Sequence, residues 1–219
     1  MIKHRVAYID ENPDDSRKFQ RHVAETLSVL VFLPEPNLDE FVEKLINSDA
    51  DAFVVDFMLN EYRIAVQEHI TYTGAELLDK ILEIRRGFPC FLLTSFDNHA
   101  VQMIGDVNYV YNKEIINPEQ QSGGITLAEK IRIQIEHYKK DIEKVNDRFH
   151  ELLNKSNEQD LTELEENELL KLDTFLESTI NDYQALPLEK KNKLAVGRTN
   201  ELIISTNELI ALLKNKNKK

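Results

Sequence analysis

The sequence predicts a doubly wound α/β fold, a five-stranded parallel sheet flanked by helices, followed by an all-α region. Three observations carry this expectation. Short apolar runs alternate five times with helix-like stretches between Val6 and Tyr111. The central run, Ala52 to Leu59, is apolar apart from one carboxylate, Asp56, as expected of a strand buried on both faces. After Gly123-Gly124 the apolar residues keep helical spacing only.

The elements follow in order. Val6 to Asp10 reads as a strand ending in Asp10-Glu11. Asn12-Pro13 starts a helix, Asn12 as cap and Pro13 in its first turn, with Phe19, Val23 and Leu27 as the inward stripe. Val29 to Leu33 is the second strand, closed by Pro34-Glu35-Pro36. Asn37 caps a helix that turns Phe41, Leu45 and Ile46 inward and leads through Asp49-Ala50-Asp51 into the central strand. Gly74 to Arg86 is a helix burying Leu77, Leu78, Ile81 and Leu82, broken by Phe88-Pro89. Cys90 to Leu93 is the fourth strand, ending in Thr94-Ser95. A short helix spans Asn98 to Ile104, and Tyr109 to Tyr111 is the fifth strand, followed by Asn112-Lys113-Glu114.

A chain of 219 residues holds one domain of ordinary size with an appendage, or two small domains, and the change of pattern places the boundary at 124/125. Residues 1–124 carry 11 Lys+Arg against 21 Asp+Glu, a net of −10; the remaining 16 against 18 give −2, together the −12 of the whole. An acidic first half repels nucleic acid and suits a cation. The single cysteine, Cys90, lies in an apolar run and excludes an internal disulfide or a cysteine zinc cage. No apolar run approaches the roughly 18 residues of a membrane span, and Met1-Ile2-Lys3-His4-Arg5 leads into a strand with no signal-peptide core, so a cytoplasmic location is expected.

In a doubly wound sheet the carboxyl ends of the strands share one edge, where ligands bind. That edge would gather Asp10, Glu11, Asp56, Thr94-Ser95 and Lys113. Close carboxylates need a neutralising partner, and an all-oxygen set suits a hard divalent cation, Mg2+ before Ca2+. A lysine and a hydroxyl alongside suit the oxygens of a phosphoryl group, whose transfer depends mainly on positioning and charge neutralisation.

The pieces Ile9-Asp10-Glu11-Asn12-Pro13, Val54-Val55-Asp56-Phe57-Met58-Leu59, Gly74-Ala75-Glu76-Leu77-Leu78, Pro89-Cys90-Phe91-Leu92-Leu93-Thr94-Ser95 and Asn112-Lys113 occur in this order. Through them the chain from Met1 to about Ile116 resembles the receiver domain of two-component response regulators. The resemblance implies strand order 2-1-3-4-5 and a phosphoacceptor, Asp56, charged by a histidine kinase, a phosphotransfer protein or a small acyl phosphate. It implies Mg2+ held by Asp10, Glu11, Asp56 and the backbone carbonyl of Met58, with Thr94 and Lys113 on the phosphoryl oxygens.

Several positions depart from the family pattern. Glu11 stands where a second aspartate is usual. Glu114 follows Lys113 in place of proline, so a trans bond and a reshaped loop are expected. Val110 occupies the usual aromatic switch position, between Tyr109 and Tyr111. The stretch after Asp56, residues 60–73, is longer than usual and carries Arg63, His69 and Tyr72; it reads as a lid or contact surface, or as a solvated excursion. Bulky Met58 and Phe96 flank the path of hydrolytic water in the family, and they imply slow autodephosphorylation.

In the second half Ala128, Ile131, Ile135, Tyr138, Ile142, Val145, Phe149 and Leu152 recur at alternating spacings of three and four, a heptad seam on a helix predicted over 125–154. A helix over Leu161 to Ile180 follows, then one over Leu188 to Asn215, in which Thr199-Asn200-Glu201-Leu202-Ile203 is echoed by Thr206-Asn207-Glu208-Leu209-Ile210. Their apolar faces close within one chain or in a dimeric bundle. No phosphate loop or metal cluster is present there; His137 and His150 are read as surface histidines, and the tail lysines as a solvated end.

The leading reading is an atypical response regulator that is not an enzyme by output. Phosphorylation of Asp56 would alter protein contact or homodimerisation through the helical region. Two alternatives stand beside it. One is an RNA-binding antiterminator-type regulator, disfavoured by a helical half with no basic stripe; the other is a binding module that no longer takes phosphate.

Overall fold

The computed structural model describes residues 3–60, 70–95, 110–116 and 125–179. Five described strands, β1 (His4–Ile9), β2 (Leu27–Phe32), β3 (Ala52–Asp56), β4 (Cys90–Thr94) and β5 (Val110–Asn112), form one sheet in the order β2-β1-β3-β4-β5. Every pairing is parallel, with Val6 opposite Val29 and Ala52, Asp56 opposite Leu93, and Thr94 opposite Asn112. This is the doubly wound parallel sheet that the alternation of elements predicts, in the expected strand order 2-1-3-4-5.

Helices α1 (Pro13–Val23), α2 (Leu38–Ile46) and α3 (Gly74–Ile84) connect the strands. Asn12 caps α1 by accepting the Asp14 N–H, and Asn37 caps α2 by accepting the Glu40 N–H. Thr73 and Glu76 close a reciprocal box at the start of α3. The pleat sends alternate strand residues to opposite faces. Ala7, Ile9, Phe53, Val55 and Leu92 pack toward α2 and α3, against Phe41, Leu45, Leu77 and Ile81. Val6, Tyr8, Val54 and Leu93 pack on the other face with Phe19 and Val23 of α1. Each fully buried Leu, Ile or Phe contributes roughly 1.5–3 kcal/mol relative to an exposed one.

The structure corrects several boundaries. Leu27 belongs to β2 and not to the stripe of α1. The helix ends at Val23, the Thr26 N–H closes a turn onto the Val23 carbonyl, and Leu27 pairs with His4 at the sheet edge. β1 starts at His4 and stops at Ile9, so Asp10 lies just past its end. α3 ends at Ile84, and Gly87, at φ +73°, makes the left-handed turn into Phe88-Pro89. β5, described over Val110–Asn112, runs one residue past its predicted end. Ile70 and Tyr72 are buried, with the Tyr72 hydroxyl donating to the Glu35 carbonyl, so the end of the long stretch after Asp56 is core and not a solvated excursion. The predicted helices over 98–104 and 188–215, with Arg63, His69, Phe96 and Tyr109, lie outside the described residues.

Beyond the sheet come α4 (Leu127–Glu158) and α5 (Glu163–Thr179), each opened by a threonine–glutamate box, Thr126 with Glu129 and Thr162 with Glu165. α4 runs four residues past the predicted end, to Glu158. The chain divides into two compact units, 1–141 and 142–219, a division that falls within α4. The heptad seam is shared between them. Leu127, Ala128, Ile131 and Ile135 are buried in the core that holds Tyr8 and Phe19, and Tyr138 sets its ring edge-on to Phe88 at 5.4 Å. In the second unit Phe149 and Leu152 are buried with Leu169 and Leu176 of α5, beneath ion pairs of Arg148 with Glu168 and Lys155 with Glu165. Among the described residues no helix is long and apolar enough to cross a membrane.

Candidate functional site

The register delivers the polar residues to one edge of the sheet. Asp56 is the last residue of β3, opposite Leu93; Thr94 is the next residue of β4 and lies opposite Asn112, which Lys113 follows. Asp10 and Glu11 come directly after β1, the other neighbour of β3. Asp10, Glu11, Asp56 and Thr94 are all buried. The backbone that presents Asp56 is pinned on both sides: the Phe57 N–H donates to the Leu93 carbonyl at 2.8 Å, and the Gly74 N–H to the Phe57 carbonyl at 2.9 Å.

Asp10, Glu11 and Asp56 each offer a carboxylate oxygen within 4.8 Å of the others. Lys113 Nζ reaches into this group, 3.0 Å from Asp56 Oδ1, 3.2 Å from Asp10 Oδ2 and 3.1 Å from Asp15 Oδ2. Asp10 is held firmly: its Oδ1 accepts the Asn12 N–H at 2.7 Å, and its Oδ2 accepts the Tyr8 hydroxyl at 2.8 Å. Asp15, in the first turn of α1, also accepts from Lys18 Nζ at 2.9 Å and from Asn12 Nδ2 at 3.2 Å.

The electrostatics follow from burial and from the excess of acid. Burial pushes the Asp56 carboxyl up; Lys113 opposes this, but Asp10 and Glu11 add to it, and the group is raised to about 7. Burial alone would lower Lys113, yet Asp56 and Asp10 more than offset it and hold the ammonium above its ordinary value, so it stays charged. Burial and the Asp10 charge raise the Tyr8 phenol, which therefore remains a donor. Asp15 goes the other way: burial would raise it, but Lys18 and Lys113 hold it below the usual carboxylate value. One ammonium thus faces more buried negative charge than it neutralises.

The donor set fits a hard divalent cation, with three buried carboxylates whose oxygens converge. Asp10, Glu11 and Asp56 are the residues that would hold it; the Met58 carbonyl is a fourth donor only by the resemblance.

Sequence reasoning placed Asp10, Glu11, Asp56, Thr94 and Lys113 at this edge and missed Asp15 and Tyr8. Asp15 sits three residues past the Asn12 cap, where acidic residues commonly complement a helix N-terminus, and nothing local separates it from Asp14. Tyr8 precedes Asp10 by two residues, hence on the same face of the strand, a signal that could have been read. The turn after Lys113 explains how the site forms without proline. Asn112 Oδ1 accepts the Glu114 N–H at 2.8 Å, a bond proline could not supply, and Lys113–Ile116 coils into a 3-10 turn. The Lys113–Glu114 bond is trans, since no cis peptide occurs among the described residues. Val110 packs toward α2 and α3, whereas Tyr111 lies on the opposite face, its ring 5.6 Å from that of Phe91 and 5.1 Å from Lys130 Nζ.

No protein-family model matches the chain, and no curated protein does. Solved structures are similar to it at low identity. The BeF3-activated DrrB receiver domain is 20% identical with a TM-score of 0.43, covering 62% of this chain and 99% of that one. The RcsB response regulator of Salmonella typhimurium is 13% identical with a TM-score of 0.38, over 90% and 100%. The anti-anti-sigma factor PhyR from Bartonella quintana is 14% identical with a TM-score of 0.43, over 66% and 51%. The fold of this chain stands on its own strand order and register.

Proposed function

We propose that the first unit, residues 1–141, acts as a receiver that takes a phosphoryl group on Asp56 in the presence of Mg2+, and that the helical second unit, residues 142–219, passes the change on by protein contact. The observation that carries this reading is the position of Lys113 Nζ, 3.0 Å from Asp56 Oδ1, beside a buried group of three carboxylates. A nucleophile, a fixed cation and hard metal donors then share one small volume. Phosphoryl transfer needs in-line positioning and charge neutralisation more than it needs a base.

In the transfer, an Asp56 carboxylate oxygen attacks the phosphorus of an acyl phosphate or phosphohistidine. The new O–P bond forms as the bond from phosphorus to the leaving oxygen or nitrogen breaks, and its electron pair leaves with the carboxylate or imidazole. Bound Mg2+ would neutralise charge on the transferring oxygens. Lys113 pairs with those oxygens, Thr94 donates to them from the end of β4, and Tyr8 and Asn12 keep Asp10 oriented. The phosphoryl donor in the cell is a histidine kinase or a phosphotransfer protein, and the setting is cytoplasmic.

The test is incubation of the full chain with acetyl phosphate and Mg2+. A hydroxylamine-labile phosphoryl group that maps to Asp56 supports the reading, and a light-scattering mass that changes with it identifies the helical region as the output. A chain that gains no phosphoryl group with Mg2+ or Mn2+ would be a binding module held in one state.

A further inference from the structure

We propose that Asp15 is a positioning residue that holds Lys113 in the unphosphorylated site and yields it to the phosphoryl group on Asp56. The inference rests on the reading of Asp56 as phosphoacceptor.

The geometry is that of a shared cation. An ammonium has three N–H donors, and Lys113 Nζ has three carboxylate partners at nearly equal distance, Asp56 at 3.0 Å, Asp15 at 3.1 Å and Asp10 at 3.2 Å. A phosphoryl group on Asp56 adds acceptor oxygens, so at least one of these contacts must loosen. The three differ in what remains once the lysine turns away. Asp56 would itself carry the phosphoryl group. Asp10 is fully buried and would keep the Tyr8 hydroxyl and the Asn12 N–H, both neutral donors. Asp15 keeps a cation, Lys18 Nζ at 2.9 Å, together with Asn12 Nδ2 at 3.2 Å, and its side chain is 17% exposed, so it gives up Lys113 at the smallest cost. Because Asp15 sits in the first turn of α1, this exchange makes a contact between the site and α1 depend on phosphorylation. Lys18 regulates it: by compensating Asp15, it lets Lys113 go.

Beryllofluoride, a non-covalent phosphoryl mimic, is the probe, titrated with Mg2+ into the full chain by calorimetry. Asp15→Asn removes the competing charge and should bind beryllofluoride about two- to fivefold tighter than the unaltered chain. Asp15→Glu, which keeps the charge, should stay near the unaltered value. Lys18→Ala, at an exposed position, should bind about two- to fivefold more weakly and should have no effect once Asp15 is Asn. A gain in affinity cannot come from a damaged fold. Unchanged or weaker binding by Asp15→Asn overturns the proposal. So does a Lys18→Ala effect that persists in the Asp15→Asn background, since that would be long-range charge alone. If Asp15→Asn fails to fold, Asp15→Ser takes its place in both comparisons, and the same outcomes support or overturn the proposal. If the unaltered chain binds no beryllofluoride, the phosphoacceptor reading falls and this inference with it; binding without the Asp15 and Lys18 effects removes this inference only.

Discussion

A methyl group placed on Gly74 would lie 2.0 Å from the carbonyl oxygen of Asp56. The start of α3 is therefore pressed against the backbone that presents the candidate phosphoacceptor, and only glycine allows the approach.

Gly74→Ala should destabilise the first unit by about 1–3 kcal/mol, the usual cost of forcing extra volume into a packed site. Urea melts measure this loss. The same substitution should slow phosphorylation of whatever fraction stays folded, because the clash displaces Asp56 itself and not a side chain that can turn away.

Tyr8→Phe keeps the ring stacked on Phe19 at 4.3 Å but removes the hydroxyl that donates to Asp10 Oδ2. Loss of a buried hydrogen bond to a carboxylate should cost about 1.5–3 kcal/mol near pH 7. Comparison with Phe19→Leu, which disturbs the stack and spares the hydroxyl, separates packing from hydrogen bonding in the melt.

A pH-dependent contribution comes from Asp51, away from the carboxylate site. Burial would raise its carboxyl, but Lys139 Nζ at 2.7 Å, the Arg5 N–H at 2.8 Å and His4 hold it below its ordinary value. A depressed folded value means that the unfolded chain binds the proton first. The stabilisation is therefore fully present above the unfolded carboxylate value of about 3.9 and is lost as pH falls through the folded one. Asp51→Asn should cost about 1 kcal/mol near pH 7 and nothing at the acid end of a series of denaturant melts.

In the second unit, Leu152→Ala or Leu169→Ala removes a fully buried side chain between α4 and α5 and should cost about 2–5 kcal/mol. Arg148→Ala, at a half-buried bidentate ion pair with Glu168, should cost clearly less than either leucine change. Hydrogen exchange that reports opening of α5 in the leucine variants, and not in the arginine variant, would place the stability of this unit in its apolar seam.

The fold was legible because strand ends and helix starts carry their own chemistry. Asp56 closes an apolar run, Asn12-Pro13 and Asn37 open helices, and each of these signals agrees with the observed elements. Leu27 misled because it stands four residues after Val23, the spacing of a helix face, although Ala24 to Thr26 turns the chain into β2. Three threonine–glutamate pairs, Thr73 with Glu76, Thr126 with Glu129 and Thr162 with Glu165, announced the starts of α3, α4 and α5 at the capping-box spacing and would have placed those boundaries to the residue. The heptad seam of α4 looked uniform along its length, since a helix packed on a sheet and a helix packed on another helix both need one apolar stripe; only tertiary structure divides it between two cores. Asp15 was illegible for a related reason. Its partner Lys113 is 98 residues away, and in the local sequence it is one of two adjacent aspartates in a first turn.

The most direct test of Asp56 as phosphoacceptor is the intact mass of the full chain after acetyl phosphate and Mg2+, measured beside Asp56→Asn and beside a sample with the metal chelated. The expected result is the gain of one phosphoryl group in the unaltered chain, and no gain in the variant or without metal. An equal gain in Asp56→Asn, or none in the unaltered chain, would contradict it.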